Sequence, residues 1–142
     1  MNREIFVVDD NVDYQFLFFR LLKELDRPCT VKFFENAKAC HQHLELLKMN
    51  KPKDLPSLIV TDLHMPGMNG LHLLKLLKSE GKSTGLPVYD TPVVVMTSYL
   101  SDQQVQQCYK AGANAVIIKP IDSLLMKTTV QSICNFWVDR VN

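Results

Sequence analysis

The sequence predicts an α/β fold in which helices cover both faces of a parallel sheet. Four short apolar runs are continuous rather than alternating, which is typical of strands buried on both faces. A fifth run, at 30–34, contains polar residues and suits an edge or half-covered strand. The four apolar runs lie at 5–8, 58–60, 93–96 and 115–118. Segments with helical spacing lie at 12–26, 37–49, 70–80, 102–111 and 122–138. Because strand and helix alternate five times, we expect a sheet wound with right-handed crossovers.

The length and charge of the chain favour one domain without a general affinity for polyanions. The 142 residues have the usual length of a single domain. We expect one unit over 1–142 and no effector domain, because the last predicted helix uses the chain to its end. Lys and Arg number 16 against 15 Asp and Glu. This balance gives no electrostatic reason to bind nucleic acid or an anionic membrane surface.

The amino terminus and the cysteines predict a cytoplasmic protein. The first apolar run is far shorter than a membrane span or the apolar segment of a signal peptide. The four cysteines are scattered, without a CxxC pair or histidine partners at zinc spacing. We interpret them as reduced thiols.

Two features leave an alternative open. Helix 12–26 has more apolar side chains than one buried stripe can hold, and Phe136 and Trp137 give the last helix a similar excess. This surplus suits either a partner or homodimer surface, or single exposed apolar residues of the kind found on monomers. The loops at 51–56 and 81–92 are expected at the amino-terminal edge of the sheet, as spacers or partner surfaces.

Polar residues follow four of the predicted strands. In chain order they are Asp9, Asp10, Asp62, Thr97, Ser98 and Lys119. The carboxyl ends of parallel strands share one edge of the sheet, where open α/β folds bind their ligands. We therefore expect three carboxylates, a hydroxyl and an ammonium group to meet in one crevice.

This combination of groups predicts phosphoryl transfer assisted by a metal ion. Two carboxylates about 4 Å apart repel by about 4 kcal/mol at an effective dielectric of about 20, so three are not expected to stay ionised without a cation. Mg²⁺ suits hard oxygen ligands and leaves room for a phosphoryl oxygen. Mg²⁺ and Lys119 can share the phosphoryl charge while Thr97 donates a hydrogen bond. Asp62, in a loop rich in Pro and Gly, is then the carboxylate nucleophile.

The motifs at these strand ends resemble those of CheY-like receiver domains of bacterial two-component response regulators. They stand at 7–11, 59–70, 94–98, 112–113 and 119–120. The resemblance covers essentially the whole chain and implies a flavodoxin-like (βα)5 three-layer sandwich with strand order 2-1-3-4-5. It also implies that a sensor histidine kinase or phosphotransfer protein phosphorylates Asp62, which switches protein–protein interactions in signal transduction.

The same resemblance implies roles for the site residues. Asp10, Asp62 and the backbone carbonyl of His64 bind Mg²⁺ directly, and Asp9 acts largely through water. The chain is then a phosphoacceptor rather than an enzyme, catalysing only its own phosphorylation and slow dephosphorylation.

The phosphoryl oxygens have their own expected partners. Lys119 and Thr97 contact them, and the backbone amides of His64 and Ser98 add further donors. The family usually has a cis peptide bond after this lysine, so we expect one before Pro120.

Val116 departs from the family pattern. It stands where Tyr or Phe is usual, three residues before the lysine, so the usual moving aromatic is missing. Tyr99 is one hypothesis for a replacement. His64 and Tyr99 also flank the expected path of the hydrolytic water. There they either slow loss of the phosphoryl group or point to solvent without effect.

Two other functions are weighed against this one. A hydrolase of the haloacid dehalogenase type also uses an Asp nucleophile, but its acidic pair comes last, whereas here Asp9 and Asp10 come first. A docking module without phosphorylation fits Val116 but not the intact set of acidic, hydroxyl and lysine residues. For output, we expect a target protein, a relay kinase or a second copy to contact helices 102–111 and 122–138 and the strand between them.

Overall fold

The computed structural model describes residues 3–25, 29–65, 67–79, 89–99 and 101–138. Strands and helices alternate along this part of the chain. The strands are β1 (Glu4–Val8), β2 (Thr30–Phe34), β3 (Leu58–Thr61), β4 (Val93–Thr97) and β5 (Ala115–Ile118). The α-helices are α1 (Val12–Glu24), α2 (Ala37–Asn50), α3 (Gly70–Lys78), α4 (Asp102–Lys110) and α5 (Ser123–Ile133).

The five strands form one parallel sheet in the order β2-β1-β3-β4-β5. This confirms the flavodoxin-like order. β3 and β4 are buried along their whole length, as their continuous apolar runs predict. The run at 115–118 differs, because β5 is the second edge strand and is only partly covered, with Ile118 exposed. Apolar content alone does not reveal that a strand lacks a neighbour on one side.

Two apolar cores lie on opposite faces of the sheet. Successive residues of a strand point to opposite faces, so Phe6 of β1 joins one core and Val7 joins the other. The core beneath α2, α3 and α4 has as its largest fully buried members Phe6, Leu44, Ile59, Leu73, Leu74 and Leu77. The core beneath α1 and α5 has Ile5, Val7, Phe18, Leu58, Met96 and Met126.

Side-chain caps fix three helices where they leave the carboxyl edge of the sheet. The side chain of Asn11 accepts from the Tyr14 amide at the start of α1, and that of Asn69 accepts from His72 at the start of α3. Ser101 begins α4 in a capping box with Gln104. Caps satisfy amides that have no partner inside the helix. These helices therefore begin at fixed points beside the strand-end residues.

Several details differ from the sequence-based expectations. A 3-10 turn, Pro52–Asp54, lies in the loop expected at 51–56, and α5 continues as a π-helix over Cys134–Val138. The predicted cis bond before Pro120 is wrong: none of the described peptide bonds is cis. Trans is the more stable form of an X–Pro bond by about 0.5–1 kcal/mol. Residues 80–88, which include most of the second long loop, lie outside the described residues.

The remaining expectations concern cysteines and membrane segments. All four cysteines are free thiols, as predicted. No helix in the described part of the chain has the length and apolar character that a membrane crossing requires.

Candidate functional site

The strand-end residues meet at the carboxyl edge of the sheet, and backbone hydrogen bonds continue the sheet just beyond the strands. The Asp62 amide donates to the Val8 carbonyl at 2.9 Å. The Lys119 amide donates to the Thr97 carbonyl at 2.8 Å. Asp9 is held in the same way by Phe34, with 3.0 Å between amide and carbonyl. Backbone hydrogen bonds thus fix the position of each of these residues independently of its side-chain contacts.

Lys119 bridges the two buried carboxylates of the site. Its Nζ lies 2.6 Å from Oδ2 of Asp9 and 2.9 Å from Oδ2 of Asp62. Both aspartates are buried, and the lysine side chain is only 12% exposed. A metal ion was expected to neutralise these carboxylates, but the lysine ammonium already supplies one positive charge between the two of them.

The second oxygen of each carboxylate accepts from the backbone. Oδ1 of Asp9 accepts from the Asn11 amide at 2.9 Å, and Oδ1 of Asp62 accepts from the His64 amide at 3.0 Å. Each carboxylate is therefore held at both oxygens, one by Lys119 and one by the following loop. A carboxylate held in this way loses little further freedom when it reacts.

The two carboxylates have opposite pKa shifts. Burial raises the pKa of Asp9, and its bonds to Lys119 and Asn11 offset this only in part. Burial also acts to raise the pKa of Asp62, but hydrogen bonds from Lys119 and the His64 amide outweigh it and the pKa is lowered. Burial acts against the charge of Lys119, yet its two carboxylate partners raise its pKa. Asp62 is thus ionised at neutral pH, as a carboxylate nucleophile must be.

Thr97 contributes a buried hydroxyl whose oxygen has no hydrogen-bond partner among the described residues. Thr97 is 1% exposed at the end of β4. It lies close enough to Asp62 to contribute to the lowered pKa of that carboxyl, although no hydrogen bond of normal geometry joins them. Buried hydroxyls are normally paired, so this donor is suited to an added acceptor beside Asp62.

The structure does not bring Asp10 into this group. Asp10 is exposed on the loop after β1. Within the described ranges, no group of three His, Cys, Asp or Glu side chains is arranged to hold a metal ion. The oxygen donors that do meet are Asp9 and Asp62, both within 3 Å of one cation, the Lys119 Nζ. Two carboxylates, supplemented by backbone carbonyl and water oxygens, fit Mg²⁺.

His64 and Tyr99 lie across the mouth of the site. The imidazole Nε2 of His64 is 3.1 Å from the Tyr99 carbonyl oxygen. A carbonyl only accepts, so Nε2 carries the proton and donates. This bond joins the loop after β3 to the loop after β4. The Tyr99 side chain and Ser98 are exposed.

Val116 lies on β5, and an aromatic residue of α4, Tyr109, contacts its backbone. The Val116 amide donates to the Tyr109 hydroxyl at 3.2 Å. This contact was not predicted from the sequence. The two residues are seven positions apart on different elements, with the turn between α4 and β5 separating them, so their contact depends on the tertiary structure.

Tyr14 is a second residue that the sequence analysis missed. It was assigned only to the apolar residues of helix 12–26, but its ring centroid lies 4.1 Å from the Lys119 Nζ. Its hydroxyl donates to Sδ of Met96 at 2.8 Å. The available signal was its place in the first turn of a helix that begins directly after Asp9 and Asp10.

Gly70 allows the close approach of α3 to the backbone of Asp62. A Cβ at this position would lie 2.1 Å from the Asp62 carbonyl oxygen. The Gly70 amide also donates to the Leu63 carbonyl at 3.2 Å. The motif at 59–70 included this glycine, but the contact that requires it is visible only in the structure.

Comparison with known proteins supplies the family. A family model described as the response regulator receiver domain matches residues 5–131. The chemotaxis protein CheY-3 of Vibrio cholerae is 30% identical over 132 residues, which cover 93% of this chain and 92% of CheY-3. The phosphorylated cyanobacterial phytochrome response regulator RcpA has a TM-score of 0.84 at 23% identity, covering 100% of this chain and 98% of RcpA. The Mn²⁺-bound response regulator Rcp1 has a TM-score of 0.81 at 23% identity, covering 99% of this chain and 97% of Rcp1.

The chain therefore belongs to the response regulator receiver domain family. It is a homologue of CheY and takes part in phosphorylation-based two-component signalling. RcpA and Rcp1, at their low identity, support the fold.

Proposed function

We propose that Asp62 is the residue that accepts the phosphoryl group, in a reaction that requires Mg²⁺. One observation carries the proposal: an ionised, buried carboxylate is held by Lys119 beside the unpaired hydroxyl of Thr97. A nucleophile, a cation and a free donor are the groups that phosphoryl transfer requires at one point.

In the proposed reaction, an oxygen of Asp62 attacks the phosphorus atom of the donor. The bond from phosphorus to the nitrogen of a phosphohistidine breaks, and the imidazole nitrogen keeps the electron pair. The Lys119 ammonium then binds the phosphoryl oxygens, and Thr97 donates to one of them. The backbone amides of His64 and Ser98 add donors at the same oxygens. Preorganised donors of this kind stabilise charge without further reorganisation.

The proposed metal ligands are oxygen atoms around the same carboxylates. Asp62, Asp10 and the His64 carbonyl are assigned direct contacts, and Asp9 a contact through water. Bound there, Mg²⁺ would neutralise negative charge on the carboxylates and on the phosphoryl group. Asp10 is the ligand that must turn inward, because its side chain is exposed.

The proposed phosphodonor is a sensor histidine kinase or a phosphotransfer protein that binds at the rim of the site. Val12 and Phe16 lie one helical turn apart at the start of α1 and are 63% and 70% exposed. Ile121, on the adjacent connection to α5, and Leu124, in the first turn of α5, are also exposed. Exposed apolar residues beside a reactive group are characteristic of a protein-binding surface.

The proposed output surface is formed by α4, β5 and α5. Tyr109, Ile118 and Leu125 are exposed, one on each of these elements. α4 follows β4 in the chain and β5 pairs with β4 in the sheet, so a shift of Thr97 toward a phosphoryl group acts first on these two elements. A target protein, a relay kinase or a second copy of the chain would bind there.

The test of phosphorylation is incubation with acetyl phosphate and Mg²⁺, followed by intact mass spectrometry. We expect the mass of one phosphoryl group to be added, and the addition to be lost in EDTA and in Asp62→Asn. Asp54→Asn is the matched control, because Asp54 is an exposed carboxylate in the loop before β3, away from the strand ends. It should be phosphorylated like the unmodified protein. No Mg²⁺-dependent gain in the unmodified protein, or a gain that persists in Asp62→Asn, would refute the proposal.

A further inference from the structure

The aromatic ring of Tyr14 packs against the Lys119 ammonium, which also contacts two carboxylates. The Nζ atom contacts Asp9 and Asp62 at 2.6 and 2.9 Å, and the ring centroid of Tyr14 lies 4.1 Å from it. We propose that Tyr14 is a positioning residue for Lys119, which holds the ammonium at the carboxylates and guides it to the phosphoryl group. The proposal rests on the proposed phosphorylation of Asp62.

The ring is itself held rigidly. Tyr14 is 9% exposed, and its hydroxyl donates to Sδ of Met96, a residue of β4. Its backbone amide is bound by the cap residue Asn11, so the first turn of α1 is fixed. A ring held at both ends cannot follow the lysine, so the lysine moves against a fixed surface.

The chemistry of the ring explains why an aromatic residue suits this position. The face of an aromatic ring carries partial negative charge and attracts a cation without fixing the direction of any N–H bond. The ammonium can therefore exchange its carboxylate acceptors for phosphoryl oxygens while it keeps the attraction of the ring. An aliphatic side chain of similar size would exclude water from the ammonium without any compensating attraction.

The first experiment separates the ring from the volume it fills. Tyr14→Leu keeps an apolar side chain and removes the ring, whereas Tyr14→Phe keeps the ring and removes the bond to Met96. We measure the rate constant of phosphorylation by acetyl phosphate at saturating Mg²⁺. Tyr14→Leu should lower it by roughly three- to tenfold, because without the cation–π contact the ammonium spends less time in the position from which it reaches the phosphoryl group. Tyr14→Phe should remain within about twofold of the unmodified protein, because it retains the ring face.

A matched control distinguishes positioning from packing. Phe18→Leu makes the same kind of change one turn further along α1, in the same core. The Phe18 ring centroid lies 6.2 Å from that of Tyr14, and among the described residues the ring over the Lys119 ammonium is that of Tyr14. Phe18→Leu should lower thermal stability by an amount similar to Tyr14→Leu and leave the phosphorylation rate unchanged. A similar rate loss in Phe18→Leu would overturn the proposal, because the effect would then belong to packing.

A double-mutant cycle asks whether Tyr14 acts through the lysine. In Lys119→Ala, the further change Tyr14→Leu should have no effect on the phosphorylation rate, because the group that it positions is gone. An undiminished effect in the Lys119→Ala background would contradict the proposal.

A spectroscopic measurement on the metal-free protein is independent of activity. The ring current of Tyr14 should shift the Lys119 ε-methylene protons upfield in the NMR spectrum. Tyr14→Phe should keep this shift, and Tyr14→Leu should remove it. If the unmodified protein is phosphorylated but Tyr14→Leu reacts at the same rate, this proposal fails alone. If the unmodified protein is not phosphorylated, the proposed function fails, and the upfield shift still tests the contact.

Discussion

At the scale of single residues, Asp9 and Asp62 share one lysine but hold their protons differently. Asp9 has the shorter contact with Lys119, 2.6 Å against 2.9 Å, yet its pKa is raised while that of Asp62 is lowered. Burial explains the difference, because Asp9 is 1% exposed and has fewer compensating donors. The site thus stabilises the ionised form of Asp62, whereas ionisation of Asp9 lowers the stability of the folded protein.

This difference predicts that Asp9→Asn stabilises the metal-free protein. The folded pKa of Asp9 lies above its ordinary value of 3.8, so between the two values the folded state binds more protons than the unfolded state. Stability therefore falls as the pH rises through this window. Removing the charge should raise the melting temperature in EDTA at pH 7 by roughly 2–4 °C. The advantage should shrink as the pH is lowered toward 3.8.

The control is the neighbouring exposed carboxylate. Asp10→Asn makes the same change without relieving a buried charge, so the metal-free melting temperature should hardly change. Mg²⁺ should stabilise the unmodified protein and stabilise both variants less, because each lacks a proposed ligand. A melting temperature of Asp9→Asn below that of the unmodified protein in EDTA would show that the bond to Lys119 outweighs burial.

The hydrogen bond from His64 predicts a longer life for the phosphoryl group. It joins two loops across the mouth of the site, at 3.1 Å from Nε2 to the Tyr99 carbonyl. His64→Ala should speed dephosphorylation by about fivefold, the effect of a hydrogen bond worth about 1 kcal/mol. Tyr99→Phe keeps the carbonyl and should leave the lifetime unchanged. An unchanged lifetime in His64→Ala would favour the alternative that these side chains only face solvent.

At the scale of elements, the loop from β3 to α3 is shaped by two glycines with different roles. Gly70 lies against the Asp62 carbonyl, where a Cβ would approach to 2.1 Å. Gly67 has a φ of +74° but no atom within 4 Å of an added Cβ. The first is required by close approach and the second only by backbone conformation.

These roles predict different results for the two alanine variants. Gly70→Ala should lower the free energy of unfolding by roughly 2 kcal/mol or more and slow phosphorylation, because α3 and the Asp62 backbone must separate. Gly67→Ala should lower it by about 1–2 kcal/mol, the usual penalty of a left-handed residue. Denaturant unfolding and the acetyl phosphate reaction measure the two effects. Equal phosphorylation rates in both variants would argue against a positional role for Gly70.

The cap of α4 gives a further prediction at this scale. Ser101→Ala removes the capping box with Gln104 and should lower the free energy of unfolding by about 1 kcal/mol. Amide hydrogen exchange in the first turn of α4 should become faster, because those amides lose their acceptor. Asn36→Ala removes the equivalent cap of α2, at 2.8 Å from the Ala39 amide, and is the control. Exchange in α4 that is no faster in Ser101→Ala than in Asn36→Ala would show that the cap does not hold this helix.

The elements also show what the sequence reveals and what it does not. The buried strands β1, β3 and β4 were found because burial on two faces leaves a continuous apolar run. β5 has the same composition but lies at an edge, since the pattern records apolar residues and not neighbouring strands. Asp9, Asp62, Thr97 and Lys119 were found because strand ends converge by topology alone.

The contacts of Tyr14 and Tyr109 escaped the sequence analysis for a different reason. Tyr14, on α1, and Lys119, just after β5, are 105 positions apart in the sequence, and side-chain packing sets the distance between them. Tyr109 meets the Val116 amide only because α4 and β5 fold back on each other. Neither contact leaves a periodic trace in the sequence. For Asp10 the expectation was too strong. Its place after the first strand predicted a side chain inside the crevice, but the structure has that side chain exposed.

At the scale of the whole molecule, the same sheet contributes side chains to both apolar cores, one on each face. Neighbouring residues of β1 point into opposite cores, so neither core can lose its strands without exposing the other. The site at the carboxyl edge draws Asp9, Asp62, Thr97 and Lys119 from four strand ends of this one sheet. Its geometry therefore depends on both cores together.

This arrangement predicts that a destabilising substitution in one core also lowers the unfolding midpoint measured in the other core. Leu44 of α2 is buried on one face, whereas Trp137, the single tryptophan, packs against the core of the opposite face. Leu44→Ala should lower the free energy of unfolding by about 2–5 kcal/mol. Met126 of α5 is its counterpart in the other core, and Met126→Ala should have an effect of similar size. In both variants the denaturation midpoints from Trp137 fluorescence and far-ultraviolet circular dichroism should coincide, as a single cooperative transition requires. A Trp137 midpoint that stays unchanged in Leu44→Ala while the dichroism midpoint falls would mean that the two faces unfold separately.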